Sequence, residues 1–313
     1  MIKSVIIIFF FCVEFCVSQN LIISAAEDNP KDNHKLFLYN PTVKSWQLFY
    51  RNDAISFIPY STGAISPNGK FVAVWGFHPH MSREKNGEGY SASELIVIDS
   101  KGKAVFVKDS VAGYSWAPDS KSITWIEGIT PERWEAPLST RIGIYSIVKN
   151  STIDLGRSRA VEIKWNSYDN RIYVLDSGNV VYRYDPERHV KDRTNYKGIV
   201  FSPDGKYYFD EADGGGLYSV YDAGTNQKIT LGIEKRGMLP INNFADWVPY
   251  MNHSLVFGKV LEDNKSEEMK IFNVETKKQI QALTGPIVGY DAKNKQILIR
   301  KDKTIEAKSL SNE

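Results

Sequence analysis

One pattern recurs along this chain and limits its fold more than any other feature: an apolar or aromatic residue, a short turn rich in Pro, Asp, Asn and Gly, then an apolar run. It reads Ile65-SPNGK-FVAVW, Trp116-APDSK-SITWI, Trp165-NSYDN-RIYVL and Phe201-SPDGK-YYFD. Two degenerate copies follow, Trp247-VPYMNH-SLVFG and Tyr290-DAKNK-QILIR. Proline fixes φ at about −65° at the first central position, Asp or Asn bonds its own backbone, and Gly or Asn accepts positive φ. Each copy therefore folds back into a hairpin. Its strands are apolar on both faces, as strands buried on both sides must be.

After each hairpin comes a second, better-alternating one. Leu95-IVIDSKGKAVFV, Ile142-GIYSIVKNSTIDL, Val180-VYRYDPERHV, Leu217-YSVYDAGTNQKITL and Met269-KIFNVETKKQIQAL all run strand, polar turn, strand. The unit is thus four strands, with anchors at 65, 116, 165, 201, 247 and 290, spaced 36 to 51 residues apart. Four-stranded units at this period are the signature of propeller blades. The fold class is all-β: a single β-propeller of about six four-stranded blades. No stretch reads as a long amphipathic helix, and no linker marks a second domain.

Closure is also legible. The last anchor leaves Ile287 to Leu310 for inner strands and a third, while Leu36-FLYNPTVKSWQLFY is an outer hairpin with no inner partner before it. Pairing the two puts N- and C-terminal strands in one shared blade. A further strand in Leu21-IISAA opens the alternative of seven blades.

The N-terminus reads as a signal peptide, residues 1–18, followed by the propeller over 19–313. Lys3 is a short basic region, Val5 to Val13 (VIIIFFFCV) an unbroken apolar run, and Glu14 ends it short of the about twenty residues that span a bilayer. Small residues at Cys16 and Ser18 fit a cleavage site after Ser18. The uncleaved membrane anchor is the alternative. The only cysteines, Cys12 and Cys16, lie in the removed segment, so the mature protein is expected to be disulfide-free in an oxidising compartment, the periplasm or the extracellular space. With 39 basic against 37 acidic residues, no whole-protein field draws in nucleic acid or anionic lipid.

The φ-SPDGK-φφφ hairpin resembles the propeller repeat of the Tol-system periplasmic protein and the propellers of dipeptidyl-peptidase and prolyl-oligopeptidase enzymes. The resemblance covers nearly all of the mature chain, but it rests on a structural turn and implies fold alone. Those peptidases carry their nucleophile on a separate α/β-hydrolase domain, and no G-x-S-x-G element occurs here. The WD-type signature is not seen either.

Function is sought on the face bearing the connections between second and third strands and between blades. Two of these are long: Gly76 to Ser93 (GFHPHMSREKNGEGYSAS) and Gly128 to Arg141 (GITPERWEAPLSTR), on adjacent blades. His78, His80, Arg83 and Tyr90 on the first, with Arg133 and Trp134 on the second, form a candidate partner-binding patch of the composition that dominates interfaces. The plainer reading is decoration on a repeat scaffold. His78-Pro-His80 is too few ligands for a metal site, and no cofactor is expected. Gly214-Gly215-Gly216 lies between strands with no following helix, so it reads as a turn and not a phosphate loop. Asp119, Asp185, Asp204 and Asp222 sit in hairpin turns, where backbone geometry asks for Asp. Glu127, Glu132, Glu135, Asp210, Glu211 and Asp213 lie near the loop face, and a pair of them would suit a glycosidase-like site.

The reading is an exported, monomeric, non-enzymatic propeller that engages a protein partner, without nucleic acid and without membrane insertion after cleavage. One alternative is a propeller enzyme, hydrolase or lyase, acting on a glycan or peptide through loop-face carboxylates. Another is an inhibitor or immunity-type protein that blocks a partner enzyme.

Overall fold

The computed structural model describes residues 23–25, 33–40, 45–57, 64–77, 93–129, 139–210, 219–231, 243–260, 267–285, 287–291, 294–301 and 304–310. All regular structure among them is β, and no helix there is long and apolar enough to cross a membrane. The signal-peptide segment lies outside the described residues.

The six anchored repeats are six blades of a β-propeller. Blade 1 holds β4 (Ser56–Phe57) and β5 (Ala64–Ile65), which both pair with β6 (Phe71–Phe77), then β7 (Ser93–Asp99) and β8 (Ala104–Asp109). Blade 2 is β9 (Val111–Trp116), β10 (Ser122–Ile129), β11 (Ser139–Ser146) and β12 (Ser151–Ser158); blade 3 is β13 (Ala160–Asn166), β14 (Arg171–Asp176), β15 (Val181–Asp185) and β16 (Val190–Arg193). Blade 4 is β17 (Val200–Phe201), β18 (Tyr207–Asp210), β19 (Ser219–Asp222) and β20 (Lys228–Ile229). Blade 5 is β21 (Asn243–Trp247), β22 (Ser254–Val260), β23 (Glu267–Asn273) and β24 (Lys278–Thr284), and blade 6 is β25 (Ile287–Asp291), β26 (Gln296–Lys301) and β27 (Thr304–Ser309).

The termini differ from the shared blade expected of them. β1 (Ile23–Ala25), the extra strand allowed for in the sequence, pairs with β2 (Lys35–Asn40), which pairs with β3 (Ser45–Arg51). This is a three-stranded sheet of its own, and among the described residues no ladder joins it to blade 6. The physical reason is strand count: β1 and β27 each add a strand, and two three-stranded halves exceed one blade.

The anchor motif sets a constant register. Ile65 pairs with Val72, Trp116 with Ile123, Trp165 with Ile172, Phe201 with Tyr208 and Tyr290 with Ile297, always seven residues on. The longer VPYMNH turn shifts Trp247 to Leu255. In the three closest copies Gly69, Ser120 and Gly205 take φ near 71°, 61° and 72° and donate to Ser66, Ala117 and Ser202 carbonyls. Asp side chains cap the hairpin turns as expected, Asp119 accepting from Lys121 N and Asp204 from Lys206 N after the anchors, Asp185 from Glu187 N and Arg188 N and Asp222 from Thr225 N between third and fourth strands.

The core lies between sheets and not within any one of them. The N-terminal Leu36 packs with Ile55, Phe57, Val72 and Ile96 of blade 1. Blade 1 meets blade 2 through Leu95, Val97, Trp116 and Trp125, and blade 2 meets blade 3 through Ile126, Ile142, Trp165 and Val174. Tyr173, Phe201 and Tyr208 fill the seam between blades 3 and 4. Phe209, Trp247 and Leu255 fill the next, and Val256, Ile271, Ile297 and Ile299 join blades 5 and 6. Fully burying one such side chain contributes about 1.5–3 kcal/mol, so each blade depends on its neighbours for much of its stability.

Candidate binding face and channel wall

Antiparallel alternation sorts the connections. The hairpins after each anchor and the turns between third and fourth strands emerge at one end of the ring. The connections from second to third strand and from blade to blade emerge at the other. His78, His80, Arg83 and Tyr90 belong to the β6–β7 connection, Arg133 and Trp134 to that of β10–β11, and all six lie outside the described residues. The roots of both connections are described. Phe77 pairs with Ser93 and Ile129 with Ser139, so each loop closes on the end of a ladder. The two ladders sit on neighbouring blades fastened to one another: Tyr114 OH donates to Ala73 O at 3.0 Å and Trp116 Nε1 to Ala64 O at 2.8 Å.

Beneath these loops the strand ends are polar and enclosed. Lys108 of β8 and Glu127 of β10 form a 2.7 Å ion pair across the blade 1–2 seam. Glu94 and Thr140 are buried one residue inside the loop ends of their ladders, and Ser93 Oγ donates to Val111 O at 2.6 Å. Thr140 Oγ1 and Trp75 Nε1 have no hydrogen-bond partner among the described residues. Such groups are costly when left unpaired. Of the acidic residues singled out for a carboxylate pair, Glu127 is engaged by Lys108 and Asp210 is buried at the end of β18. Glu132, Glu135, Glu211 and Asp213, with the Gly214–Gly216 run, lie outside the described residues.

The first strands of successive blades touch, β9 against β13 and β13 against β17, and so form the inner ring. The residue before each anchor occupies one level of that ring: Ala64, Ser115, Lys164, Val200, Asp246 and Gly289. This level fastens the blades. Besides Trp116 to Ala64, Trp165 N donates to Ser115 Oγ at 2.9 Å and Trp247 Nε1 to Val200 O at 3.1 Å. Asn166 bridges blades 3 and 4, giving Nδ2 to Ile199 O and accepting from Phe201 N.

It also carries charge. Burial pushes the Asp246 carboxyl above its ordinary value, opposed by the Lys164 ammonium from blade 3 and by the Trp247 N–H, which donates to Oδ1 at 2.9 Å. Tyr290 of blade 6 feels the Asp246 charge, and burial drives its phenol well up. Burial likewise pushes Tyr250 up to about 12. Both hydroxyls are buried without a hydrogen-bond partner among the described residues. An ammonium, a carboxyl and two phenols can donate and accept hydrogen bonds. Among the described residues no three His, Cys, Asp or Glu side chains come together as a metal site. Sequence reasoning missed Lys164 and Asp246. Aligning the six anchors and reading one residue back was the signal that would have found them.

No protein-family model and no curated protein matches this chain. Among solved structures 707 chains match, so the architecture is widely shared. One is the crystal structure of TolB from Acinetobacter baumannii, with a TM-score of 0.53 and 14% identity over 86% of this chain and 64% of that one. The chain thus spans less than two thirds of that structure's length. The likeness shows the propeller fold.

Proposed function

We propose that this chain is an exported, non-enzymatic β-propeller that binds a protein partner through the loop face of blades 1 and 2. The observation that carries the reading is the pairing of two long connections on adjacent, mutually fastened blades, rooted over buried polar groups that lack partners among the described residues. His78, His80, Arg83, Tyr90, Arg133 and Trp134 are the side chains assigned to contact. Export follows from the apolar N-terminus, with cleavage after Ser18 and a monomeric, thiol-free mature protein in the periplasm or outside the cell. The TolB likeness supports a propeller scaffold for such a role. The enzyme reading is weaker because Glu127, one of its carboxylates, is held by Lys108.

The test replaces residues 78–92 with a tight turn of the kind that joins β14 to β15, Asp176 to Val180. In the exported protein, whose N-terminal sequence should begin near Gln19, this variant keeps the wild-type melting temperature and loses the partner that wild type captures. Undiminished capture sinks the assignment.

A further inference from the structure

One level of the inner ring carries opposite charges that do not meet. Of its six residues, Ala64, Ser115 and Gly289 are small and Val200 is apolar, so Lys164 of blade 3 and Asp246 of blade 5 are its only charges. Both side chains keep some exposure, although both stand on first strands, which line the axis. The ammonium is felt at the carboxyl, yet no ion pair joins the two among the described residues. Asp246 Oδ1 accepts from Trp247 N at 2.9 Å, which leaves Oδ2 unused there.

The strand register brings two phenols toward the same carboxyl. An anchor ring reaches back to the level residue of the blade before it: Trp116 Nε1 donates to Ala64 O and Trp247 Nε1 to Val200 O. Side chains at that level lean the other way, as Ser115 Oγ does in accepting from Trp165 N of the next blade. Tyr290 is the anchor of blade 6, so its ring falls toward Asp246, and the Asp246 charge acts on its phenol. Tyr250, from the hairpin turn of blade 5, packs on the same cluster between blades 5 and 6 and also acts on Tyr290. Both hydroxyls are buried with no hydrogen-bond partner among the described residues. A carboxylate flanked by aromatic rings and phenol oxygens is an environment that holds an ammonium. Lys164, on the wall two blades back, suits a carboxylate. Burial raises the Asp246 carboxyl, so a cation brought to it relieves a charge that the fold alone leaves poorly neutralised.

We propose that the axial channel binds an α-amino acid zwitterion, with its ammonium on Asp246 and the phenols of Tyr290 and Tyr250 and its carboxylate on Lys164. The two charges of the ligand answer two charges of the wall that stand beyond ion-pair reach of one another. A plain amine leaves Lys164 unanswered, and a plain acid leaves Asp246 so. Ala64, Ser115 and Gly289 leave the rest of the level open for the ligand's own side chain. The site lies apart from the loop face of blades 1 and 2 and needs no protein partner there.

The test is calorimetric titration of the exported protein with alanine at neutral pH, with ethylamine and propionate as probes that carry one charge each. Alanine should bind with a Kd of about 1 mM or tighter. Each one-charge probe should bind at least about tenfold more weakly, the scale of one charge-assisted hydrogen bond. Lys164→Met and Asp246→Asn should each weaken alanine by about the same factor. Tyr290→Phe keeps the ring, removes the unpartnered hydroxyl and should weaken it by about fivefold. No binding of alanine at about 10 mM, by heat or by a rise in melting temperature, overturns the proposal. Ethylamine or propionate bound as tightly as alanine overturns the zwitterion. Alanine binding that the variants leave unchanged puts the ligand elsewhere and overturns the site. Melting curves without alanine show which variants fold; should Lys164→Met fail, Asp246→Asn and Tyr290→Phe decide.

Discussion

At the hairpin end of the ring, many polar side chains answer to the protein itself, the buried hydroxyls of Tyr250 and Tyr290 excepted. Ser66 and Ser202 bond their own turns, Ser120 accepts from Asn68 N of the neighbouring blade, and Asp204 meets His253 across a seam. The loop end differs in its connections more than in its polar atoms. Thr140 and Trp75 keep polar atoms without partners among the described residues, and the connections of blades 1 and 2 run far beyond what a turn requires. Both ends are built from the same strands. The difference is that one end closes the fold and the other is free to vary, which is where a recognition surface can be placed without disturbing the ring. If that contrast is right, substitutions at the anchors should act on stability and substitutions in the long loops on binding.

The largest effect is expected at an anchor. Trp247 is buried in the seam between blades 4 and 5 and donates Nε1 to Val200 O. Trp247→Ala leaves a cavity and removes a bond between first strands, so it should destabilise by about 3–5 kcal/mol. Equilibrium unfolding measures this directly. A loss near that of an average surface change, about 0.5 kcal/mol, would mean the inner ring is not what holds the blades together.

The same anchors explain what could be read beforehand. A turn recurring at a fixed offset after each anchor imposes local geometry, so its six copies, two of them degenerate, announced six blades and the caps of Asp119 and Asp204, while Asp185 and Asp222 cap the turns of outer hairpins. Closure was less legible, because β1 is only three residues long and no anchor turn marks it. The Lys164–Asp246 relation joins blades 3 and 5, and the His253–Asp204 contact joins blades 4 and 5. Neither has a local signal, since each depends on how far the ring turns between one anchor and the next.

A smaller effect, of opposite sign, is expected on the channel wall. Asp246 has its carboxyl raised by burial, so the folded state holds a proton that the unfolded chain has released. Stability therefore falls as pH rises from the ordinary aspartate value, about 3.9, through the raised one. Asp246→Asn can still accept from Trp247 N and carries no charge. It should stabilise by about 1 kcal/mol near pH 7 and by nothing near pH 3.5, below the ordinary aspartate value, which a pair of melting curves would show. Destabilisation near pH 7 would mean that Lys164 outweighs burial, and that the inner ring is tuned for stability like the anchors.

The smallest effect on stability is expected at Trp134. Six of the seven tryptophans stand on strands: Trp46 on β3, Trp75 on β6, Trp116 on β9, Trp125 on β10, Trp165 on β13 and Trp247 on β21. Trp134 alone falls in a connection, between Arg133 and Glu135, where no alternating strand pattern asks for it. A large aromatic kept on a loop is the residue type that most often dominates an interface, and truncating one there costs on the order of 2 kcal/mol or more. That is roughly thirty-fold in affinity. Trp134→Ala should therefore weaken partner binding by about that factor, while the unfolding free energy stays within about 0.5 kcal/mol of wild type. Trp247→Ala supplies the contrast, since its loss belongs to folding and its surviving folded fraction should bind as wild type does. If Trp134→Ala instead lowers stability and leaves affinity intact, the ring folds back onto its own blade, and the two ends of the propeller do not divide folding from recognition.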